Sequence, residues 1–445
     1  MMFSALRPKG VFPVLFALFT LLQVRSACSQ VFVEDPSMLG RPISEIEITG
    51  NRITQEEIIL REMKLRPGVA TDEEKLETDL LRVQSLDIFS RVEFHLISRQ
   101  ERPVLRIAVT EEWYIFPMPF WELTDDTPPE AIYGFRYFQK NFRGRDETII
   151  ANLWSGADRG FRFFHNNPWM TGTPALSRSV NLYQSTQSSR RLAVKDLDLE
   201  ERHTVAEVGF GKRWRLELTS EIGAKFRLIQ AENPLQLATN GELDRILEAQ
   251  ILAIWDGRDL STFPRRGLYI ETRFINGWIL NGSDRYQRLS LDLRTYIPYK
   301  NVSLCSRFLW QPGMGNVPPY DWIIVEETSP IRSSKLSDEG ESFLFASLEM
   351  RMELYHLRYF TWHGAPHFKQ YFRNLKYGLA GELFLDVGDA YQTAKTPTMS
   401  SLMGGFGAGL LLRVPYVDVI RLETSWNPEY SFRDARFSWR LGVSF

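Results

Sequence analysis

The sequence has few cysteines and, beyond residue 30, no long hydrophobic run. It contains two cysteines, Cys28 and Cys305, among 445 residues, which is too few for a framework of intrachain disulfides. No later apolar stretch approaches the roughly 18 residues that a membrane-spanning helix needs. The net charge of -2 gives no sign of a nucleic-acid partner. These absences argue against a disulfide scaffold, a helical membrane protein and a nucleic-acid-binding protein.

The start of the chain has the features of an export signal. A short basic segment without acidic residues precedes the apolar run 11–22, and the small residues 27–29 follow it. This order predicts a signal peptide over residues 1–29. Cys28 raises the alternative of a lipoprotein, although a lipobox requires an aliphatic residue where Arg25 lies.

The next segment has the pattern of one small α+β domain. Each of its two helices is expected to open with a capping box, in which a Thr precedes an acidic residue by three positions. The predicted order is a strand at 43–51, a helix from 54–57 to about Arg66, a helix from 71–74 to about Leu86, and strands at 91–97 and 104–112. We therefore predict an α+β domain over residues 30–111.

From Trp113 onward the helical period disappears and apolar residues alternate with polar ones. The alternation is nearly strict in 215–228, 287–296 and 343–354, where charged residues occupy the polar positions. Charges at every second position suit a water-filled lumen better than the dry core of a soluble β-sandwich, which is the alternative. We therefore predict a mainly β fold with a transmembrane antiparallel β-barrel over residues 112–445.

About sixteen segments show this alternation, and an even number is usual in bacterial barrels. The last of them, FSWRLGVSF, ends at Phe445 and has one wholly apolar face. We expect lipid to cover that face and the first strand to cover its edge. The predicted strands lie near 113–122, 132–141, 148–156, 160–168, 177–186, 203–213, 215–229, 247–257, 267–277, 284–297, 302–313, 341–355, 375–387, 404–414, 418–427 and 437–445.

Several motifs follow one another in a characteristic order. ITGNRIT at 48–54 precedes the two predicted helices and DIFSRVEF at 87–94, and NFRGRDE occupies 141–147. FLDVGDAY occupies 384–391, after a motif at 256–271 that contains Asp256, Arg258, Asp259, Pro264 and Gly267. With these motifs the chain resembles the BamA/TamA family of outer-membrane proteins. The resemblance implies a periplasmic POTRA-like domain joined to a sixteen-stranded barrel in the outer membrane.

The resemblance also implies a contact between a long loop and the inside of the barrel. In the family, an Arg at the tip of a loop that folds into the lumen meets an acidic strand. Here EETSPIRSS at 326–334 retains Arg332 but replaces the glycines and the aromatic residue around it. The residues implied at this contact are Arg332, Asp386, Phe384, Gly388 and Glu349.

The segment 113–123, WYIFPMPFWEL, is expected to pair with the last strand and close the barrel. Successive backbone N–H groups of a strand point to opposite edges, so Pro117 and Pro119 lack donors on the same edge. Proline is tolerated where a ladder is weak. We therefore expect a weak seam between this segment and the strand ending at Phe445. The alternative is that 113–123 is an extended linker and the first strand lies at 132–141.

The implied function is not enzymatic. The sequence lacks a nucleophile elbow and a phosphate loop, and the acidic group around Arg258 is interpreted as strand-end ion pairing. His363 and His367 would form a metal pair only on a helix, which the intervening Pro366 opposes. We therefore predict no enzyme activity and no cofactor or metal.

We expect an outer-membrane assembly or translocation factor that helps insert or pass client polypeptides. The expected partners are the outer-membrane lipid bilayer, unfolded outer-membrane or secreted proteins, and periplasmic accessory proteins, with no nucleic acid. The alternative is a pore-forming or structural barrel without insertase activity.

Overall fold

The computed structural model describes most of the chain. It covers residues 30–445 except 124–129, 171, 174, 190, 192–193, 195–196, 198, 240, 326–330, 333–337, 365–368, 370, 394, 396, 399–400, 428–434 and 443–445. The predicted signal peptide, His367 and Phe445 therefore lie outside the described residues. Within the described ranges, no helix has the length and apolarity needed to span a membrane.

The first domain is a four-stranded sheet with two helices. Its two central strands are antiparallel, and each outer strand runs parallel to its neighbour, in the order β1-β3-β4-β2. Apolar residues of both helices and of the sheet form one buried core. The elements are β1 Val31–Val33, β2 Glu45–Thr49, α1 Glu56–Leu60, α2 Glu73–Gln84, β3 Phe89–Arg99 and β4 Arg102–Glu111.

Both predicted capping boxes are wrong in detail. Gln55 occupies the N-cap of α1 without a side-chain hydrogen bond, because the Thr54 hydroxyl instead donates to the Glu111 carboxylate at 2.7 Å. At α2 the N-cap is Asp72, whose carboxylate accepts from the backbone N–H of Lys75 at 2.8 Å. Tertiary partners thus decide which side chain caps each helix.

The first helix is also shorter than predicted, and one strand was not predicted. α1 ends at Leu60, not near Arg66, and the backbone N–H groups of Lys64 and Leu65 donate to the Asp79 carboxylate at 2.9 and 2.7 Å. This buried carboxylate satisfies donors that a longer helix would have used internally. β1 escaped prediction because three residues show too little alternation to identify a strand.

The second domain is a closed antiparallel β-barrel, as the alternation predicted. Sixteen long strands in the described ranges each pair with the next long strand in the chain, and the last of them neighbours the first. The soluble-sandwich and linker alternatives are therefore both wrong. The strands are β5 Ile115–Leu123, β6 Ala131–Phe142, β7 Glu147–Gly156, β8 Arg159–Asn167, β9 Leu176–Ser188, β10 Glu200–Arg213, β11 Leu218–Ala231, β12 Leu243–Asp256, β13 Gly267–Ile279, β14 Arg285–Tyr299, β15 Val302–Gln311, β19 Ser342–Phe360, β20 Leu375–Tyr391, β21 Met403–Val414, β22 Asp418–Trp426 and β23 Arg436–Leu441.

Three short strands belong to the connection between β15 and β19. They are β16 Gly313–Gly315, β17 Ile323–Ile324 and β18 Glu339–Gly340. β16 continues the pairing with β14, whereas β17 and β18 pair only with each other. After β16, which belongs to the barrel sheet, β17 and β18 form a separate two-stranded sheet.

The two faces of the barrel wall differ in chemistry. On β12, Glu248 and Gln250 are buried and point into the barrel, whereas Leu247 and Ile251 point outward and are 40% and 57% exposed. Charged side chains inside can pair with one another, and the apolar outer face suits lipid.

The α+β domain docks onto one end of the barrel through the turn between β6 and β7. Gly144 in this turn has a φ of +70°, and a Cβ there would lie 1.9 Å from the Ile53 carbonyl oxygen. Its own carbonyl accepts from the Gln55 backbone N–H at 2.9 Å. The buried Asn141 amide also donates to Thr54 at 2.9 Å. The motif at 141–147 therefore forms a contact between the two domains.

Ion pairs surround this contact. Arg61 pairs with Asp146 at 2.6 Å, and Glu62 accepts from both terminal nitrogens of Arg213 at 2.6 and 2.8 Å. Arg82 forms an ion pair with Glu217, which directly precedes β11. Most of these side chains are shielded from water, which favours a defined docking geometry over a loose encounter.

We predict that Gly144→Ala weakens docking. The new methyl group would collide with the backbone of Ile53. A backbone atom cannot move aside as easily as the end of a flexible side chain. Spin labels on Glu74→Cys and Arg215→Cys, both at exposed sites, with Cys305→Ser, would report the distance between the domains. We expect a second, longer distance to appear.

Gly172→Ala is the matched control for this experiment. Gly172 also has a positive φ, +75°, but a Cβ there meets nothing within 4 Å. Its substitution should cost only about 1 kcal/mol of local backbone strain and leave the distance unchanged. Equal effects of the two substitutions would contradict the proposed contact.

Candidate functional site

Beyond β16, the described parts of the connection between β15 and β19 fold into the barrel, where Val325, Ile331 and Arg332 are buried. Ile331, 4% exposed, belongs to an apolar cluster inside the wall. The other buried members of this cluster are Leu309, Val325, Phe343, Phe345, Ala390 and Met403. We call residues 312–341 the lumen loop.

Arg332 fixes the tip of the lumen loop to β20. Its Nε and Nη2 atoms donate to the two carboxylate oxygens of Asp386 at 2.7 and 2.8 Å, and its backbone N–H donates to the same carboxylate at 3.1 Å. Nη1 donates to Glu423 at 2.8 Å. The Asp386 side chain is fully buried. A bidentate pair of this kind holds both partners in one orientation.

Phe384 and Gly388 shape the space around Arg332. The guanidinium lies 3.4 Å from the centre of the Phe384 ring, close enough for a cation–π contact. A Cβ at Gly388 would lie 2.8 Å from Ile331 and 2.6 Å from the Leu344 carbonyl oxygen. Glycine at this position therefore lets the lumen loop approach the wall.

Glu349 belongs to the same cluster but is not a close partner of Arg332. Its carboxylate lies 4.0 Å from Arg332, whereas Arg421 and Arg351 donate to it at 2.9 and 3.0 Å. Arg421, which the sequence analysis missed, is fully buried and also reaches Glu382 at 2.6 Å. Strand alternation on β22 places Arg421 and Glu423 on one face and could have identified them.

A second anchor of the lumen loop was also missed. Asp321 receives hydrogen bonds from both terminal nitrogens of Arg227 on β11 at 2.7 and 2.8 Å. Arg227 also donates to Glu248 on β12 at 2.9 Å. The loop is thus tied to opposite regions of the wall, through β11 and β12 at one point and through β20 and β22 at the other. No sequence signal distinguishes Asp321 from the other loop acids.

The motif at 256–271 forms a turn next to the α+β domain. Arg258 donates to both oxygens of Asp256 at 2.8 and 2.7 Å, and Asp259 accepts from the Leu260 and Arg265 backbones. Ser261 contacts Ser85 of α2's C-terminus.

Two further residues of that motif shape the turn. Pro264 is buried. Gly267, at a φ of +123°, packs against the Gly257 carbonyl. The five signature residues therefore shape a structural turn, apart from the lumen cluster.

Where the barrel closes, the backbone nitrogens of both prolines in β5 lie on the edge of the strand that faces β23. The Lys140 backbone N–H donates to the Tyr114 carbonyl at 2.9 Å, so alternate residues counted from Tyr114 bond to β6. Pro117 and Pro119 fall on the other set, whose backbone groups face β23. They therefore remove two donors from this seam. The predicted partner Phe445 lies outside the described residues.

The connection between β19 and β20 contacts the α+β domain. The Arg373 carbonyl accepts from Ser90, and Asn374 donates to Thr110 at 2.8 Å. The Tyr371 and Trp113 rings meet edge to face at 4.7 Å. Within the described residues, no group of three His, Cys, Asp or Glu side chains could hold a metal ion.

Comparison with known proteins shows which family has this architecture. Residues 141–445 match the family described as the Omp85 superfamily domain. The chain belongs to the Omp85 superfamily. Residues 42–112 match the POTRA family, described as a surface antigen variable number repeat. The protein is therefore an outer-membrane β-barrel with a POTRA domain in the periplasm.

Solved structures show the same fold at low identity. The chain resembles BamA from Haemophilus ducreyi lacking POTRA domains 1-3, with 11% identity, a TM-score of 0.52, and coverage of 94% of this chain and 85% of that one. It also resembles CdiB from Escherichia coli, with 12% identity, a TM-score of 0.54, and coverage of 91% and 76%. No curated protein matches the chain.

Removing one partner of the Arg332–Asp386 pair should destabilise the barrel. Arg332→Ala or Asp386→Ala leaves a buried charge uncompensated, at a cost of about 3–5 kcal/mol. The double variant should recover part of this loss, with a coupling of about 1–3 kcal/mol. Urea unfolding, followed by the gel shift between folded and unfolded forms, measures both quantities.

The exposed pair Arg159–Glu200 provides the control. Both side chains are about half exposed, so Arg159→Ala should cost less than about 1 kcal/mol. A coupling near zero between Arg332 and Asp386 would show that their contact does not hold the lumen loop.

Docking of the POTRA domain should depend on pH. Burial raises the pKa of Asp146 to about 7, outweighing the opposite effect of Arg61. Burial also raises the pKa of Asp87 to about 7, against the effect of Lys140. Separation of the domains would expose both carboxyls and return them toward their ordinary pKa of about 3.9. The docked state therefore binds protons that the separated state releases.

Docking should accordingly weaken as the pH rises from about 4 to about 7. The spin-label pair on Glu74→Cys and Arg215→Cys would show this as a growing fraction of long distances. Asp146→Asn combined with Asp87→Asn removes the titrating groups and should flatten the response. A docked fraction that stays constant in the unsubstituted protein would contradict the expectation.

Proposed function

We propose that the protein is a non-enzymatic factor that helps client polypeptides enter or cross the outer membrane. The observation that carries this proposal is the donor-poor seam between β5 and β23. A barrel that only lines a pore has no use for a weak closure, whereas an insertion factor needs a place where its wall can open toward lipid.

The weakness of the seam follows from its chemistry. Pro117 and Pro119 remove two hydrogen bonds, each worth about 1 kcal/mol net and more where water cannot replace them. Separation of β5 from β23 thus costs less than separation of two other neighbours.

The position of the lumen loop favours a client route through the seam in the barrel wall over a route along the barrel axis. The described residues of the loop lie in the lumen and are held by the Arg332–Asp386 and Arg227–Asp321 pairs. A client that passed along the barrel axis would have to break these buried pairs. A client that entered at the seam would leave them intact.

The partners follow from the surfaces of the protein. The apolar outer face of the barrel meets the lipid bilayer, and the periplasmic POTRA domain is placed to receive unfolded outer-membrane or secreted proteins before they reach the seam. Sheet edges can bind extended segments by strand addition. Periplasmic accessory proteins could use the same domain. The proposal requires no catalytic residue, cofactor or metal.

Depletion combined with a crosslinked seam tests the proposal. Cysteines would replace Ile115 or Trp121 on β5 and Phe437, Trp439 or Leu441 on β23, all exposed on the outer face, with Cys305→Ser. Cells depleted of the native protein should lose a set of outer-membrane proteins. The crosslinked variant should fail to restore them, because its seam cannot open.

Each single-cysteine variant is the control and should restore the outer-membrane proteome. Full restoration by a crosslinked variant would refute opening at the seam but would not contradict the proposed function in outer-membrane assembly. An unchanged proteome after depletion, together with altered single-channel conductance, would instead favour the alternative of a pore or structural barrel.

A further inference from the structure

Two neighbouring barrel strands extend past the wall at its periplasmic end. β19 and β20 are the longest strands in the described ranges, with 19 and 17 residues. β15 pairs with β19 as far as Met352, and β21 pairs with β20 from Gly378 onward. Beyond these points β19 and β20 continue to pair with each other up to Phe360 and Leu375. We call residues 355–377 the periplasmic hairpin.

The periplasmic hairpin is cationic and aromatic. Residues 355–377 contain four Lys or Arg, eight Phe, Trp or Tyr, and no acidic residue. In the whole chain, by contrast, 55 acidic residues slightly outnumber 53 Lys and Arg. At a membrane interface, a segment of this composition attracts anionic groups and places its rings among the lipid headgroups.

Two β-bulges in β19 bring chosen side chains onto one face of the hairpin. Register shifts lie between Glu353 and Tyr355 and between Tyr355 and Arg358. Simple alternation would place Tyr355 and Arg358, three positions apart, on opposite faces. With the bulges, Tyr355 lies opposite Leu379 and Arg358 lies opposite Tyr377, and these two partners share a face of β20.

This face is continuous with the lipid-facing surface of the barrel. Leu383 and Leu385 are 44% and 52% exposed on the outer face of β20. Tyr377 lies an even number of positions before them, so its side chain is on the same face. Arg358, directly opposite Tyr377, is also exposed. The outer face of the hairpin therefore meets the periplasmic leaflet of the membrane.

The other face of the hairpin meets the POTRA domain. Tyr359 and Lys376 lie opposite each other on this face. Tyr359 accepts a hydrogen bond from Gln30, and the Lys376 ammonium lies 3.7 Å from the Glu112 carboxylate. The hairpin thus has protein on one face and lipid on the other.

The outer face presents a cation among aromatic rings. The Arg358 guanidinium lies 4.9 Å from the centre of the Tyr355 ring, and the Tyr355 and Tyr377 rings stack at 5.9 Å. The Phe360 ring meets Tyr377 edge to face at 5.7 Å. Among the described residues, no acidic side chain forms an ion pair with Arg358. Its N–H donors therefore face an acceptor outside the protein.

We propose that Arg358, Tyr355 and Tyr377 bind the phosphate group of an anionic phospholipid in the periplasmic leaflet. The planar guanidinium matches two phosphate oxygens, and tyrosine hydroxyls at the interface can donate to the headgroup. The acyl chains would lie along the apolar outer face of β20. The hairpin favours an anionic lipid over a zwitterionic one because it offers no acidic partner for an ammonium group. The site is independent of the seam and of any client.

Native mass spectrometry of the full protein in detergent micelles tests the site. The probe is dioleoylphosphatidylglycerol, and dioleoylphosphatidylcholine is the zwitterionic comparison. Arg358→Gln removes the charge at an exposed position, and the gel shift between folded and unfolded forms verifies that the barrel is intact. We expect this variant to bind phosphatidylglycerol about fivefold more weakly, which is the effect of one cation beside an anionic headgroup. Its binding of phosphatidylcholine should not change.

Arg178→Gln is the matched control. Arg178 is exposed at the periplasmic end of β9, opposite Phe210, which is 58% exposed on the outer face. It has the same charge at the same end of the barrel but lies outside the hairpin. Its substitution should leave phosphatidylglycerol binding unchanged. An equal loss in both variants would show that any arginine at this level attracts the lipid, and would overturn the proposed site.

Competition distinguishes a lipid from other ligands of this surface. Neither inorganic phosphate nor the acidic barrel-strand peptide FLDVGDAY, which has the sequence of residues 384–391, should displace phosphatidylglycerol. Displacement by inorganic phosphate would assign the site to a free anion, and displacement by the peptide would assign the surface to a client. Either result would overturn the proposal, as would an affinity for phosphatidylglycerol that Arg358→Gln leaves unchanged.

Discussion

A sheet in a lipid bilayer must satisfy its backbone N–H and C=O groups within itself, because the bilayer core contains no water to bind them. This protein meets the constraint by closing the sixteen long strands of its described residues into a ring. The ring is not equally bonded everywhere. Pro117 and Pro119 of the first barrel strand lack N–H donors on the edge that faces the last strand. We propose that the ring is weakest at this seam, and the proposed function depends on that weakness.

The closed ring creates a second constraint inside. Alternation that turns apolar residues toward lipid turns charged ones into the lumen, where each needs a partner. The lumen loop supplies two of these partners, Arg332 for Asp386 and Asp321 for Arg227. Buried ion pairs contribute little net stability compared with apolar packing. Any other position of the loop would, however, leave buried charges without partners, at a large cost in free energy. These two ion pairs therefore hold the described parts of the lumen loop in one position inside the barrel.

The periplasmic end joins the two domains by close backbone contact. Gly144 brings the β6–β7 turn against Ile53, and ion pairs such as Arg61–Asp146 surround it. The same end brings the β3 edge of the POTRA sheet beside the barrel, with β1 in place on it. The contact between the domains and the occupied edge of the POTRA sheet therefore lie next to each other.

The sequence by itself indicated an antiparallel barrel of about sixteen strands and the α+β character of the first domain. Period-two alternation is a local property that follows directly from which face of a strand meets lipid. Resemblance to a family also placed Arg332 near Asp386. The pairing of Asp321 with Arg227, the caps of α1 and α2, and β1 were decided only by the tertiary structure. The physical reason is that each depends on a partner far along the chain: a loop acid gains its role from the wall it meets, Thr54 bonds to Glu111 instead of capping a helix, and three residues become a strand only because β3 has an open edge.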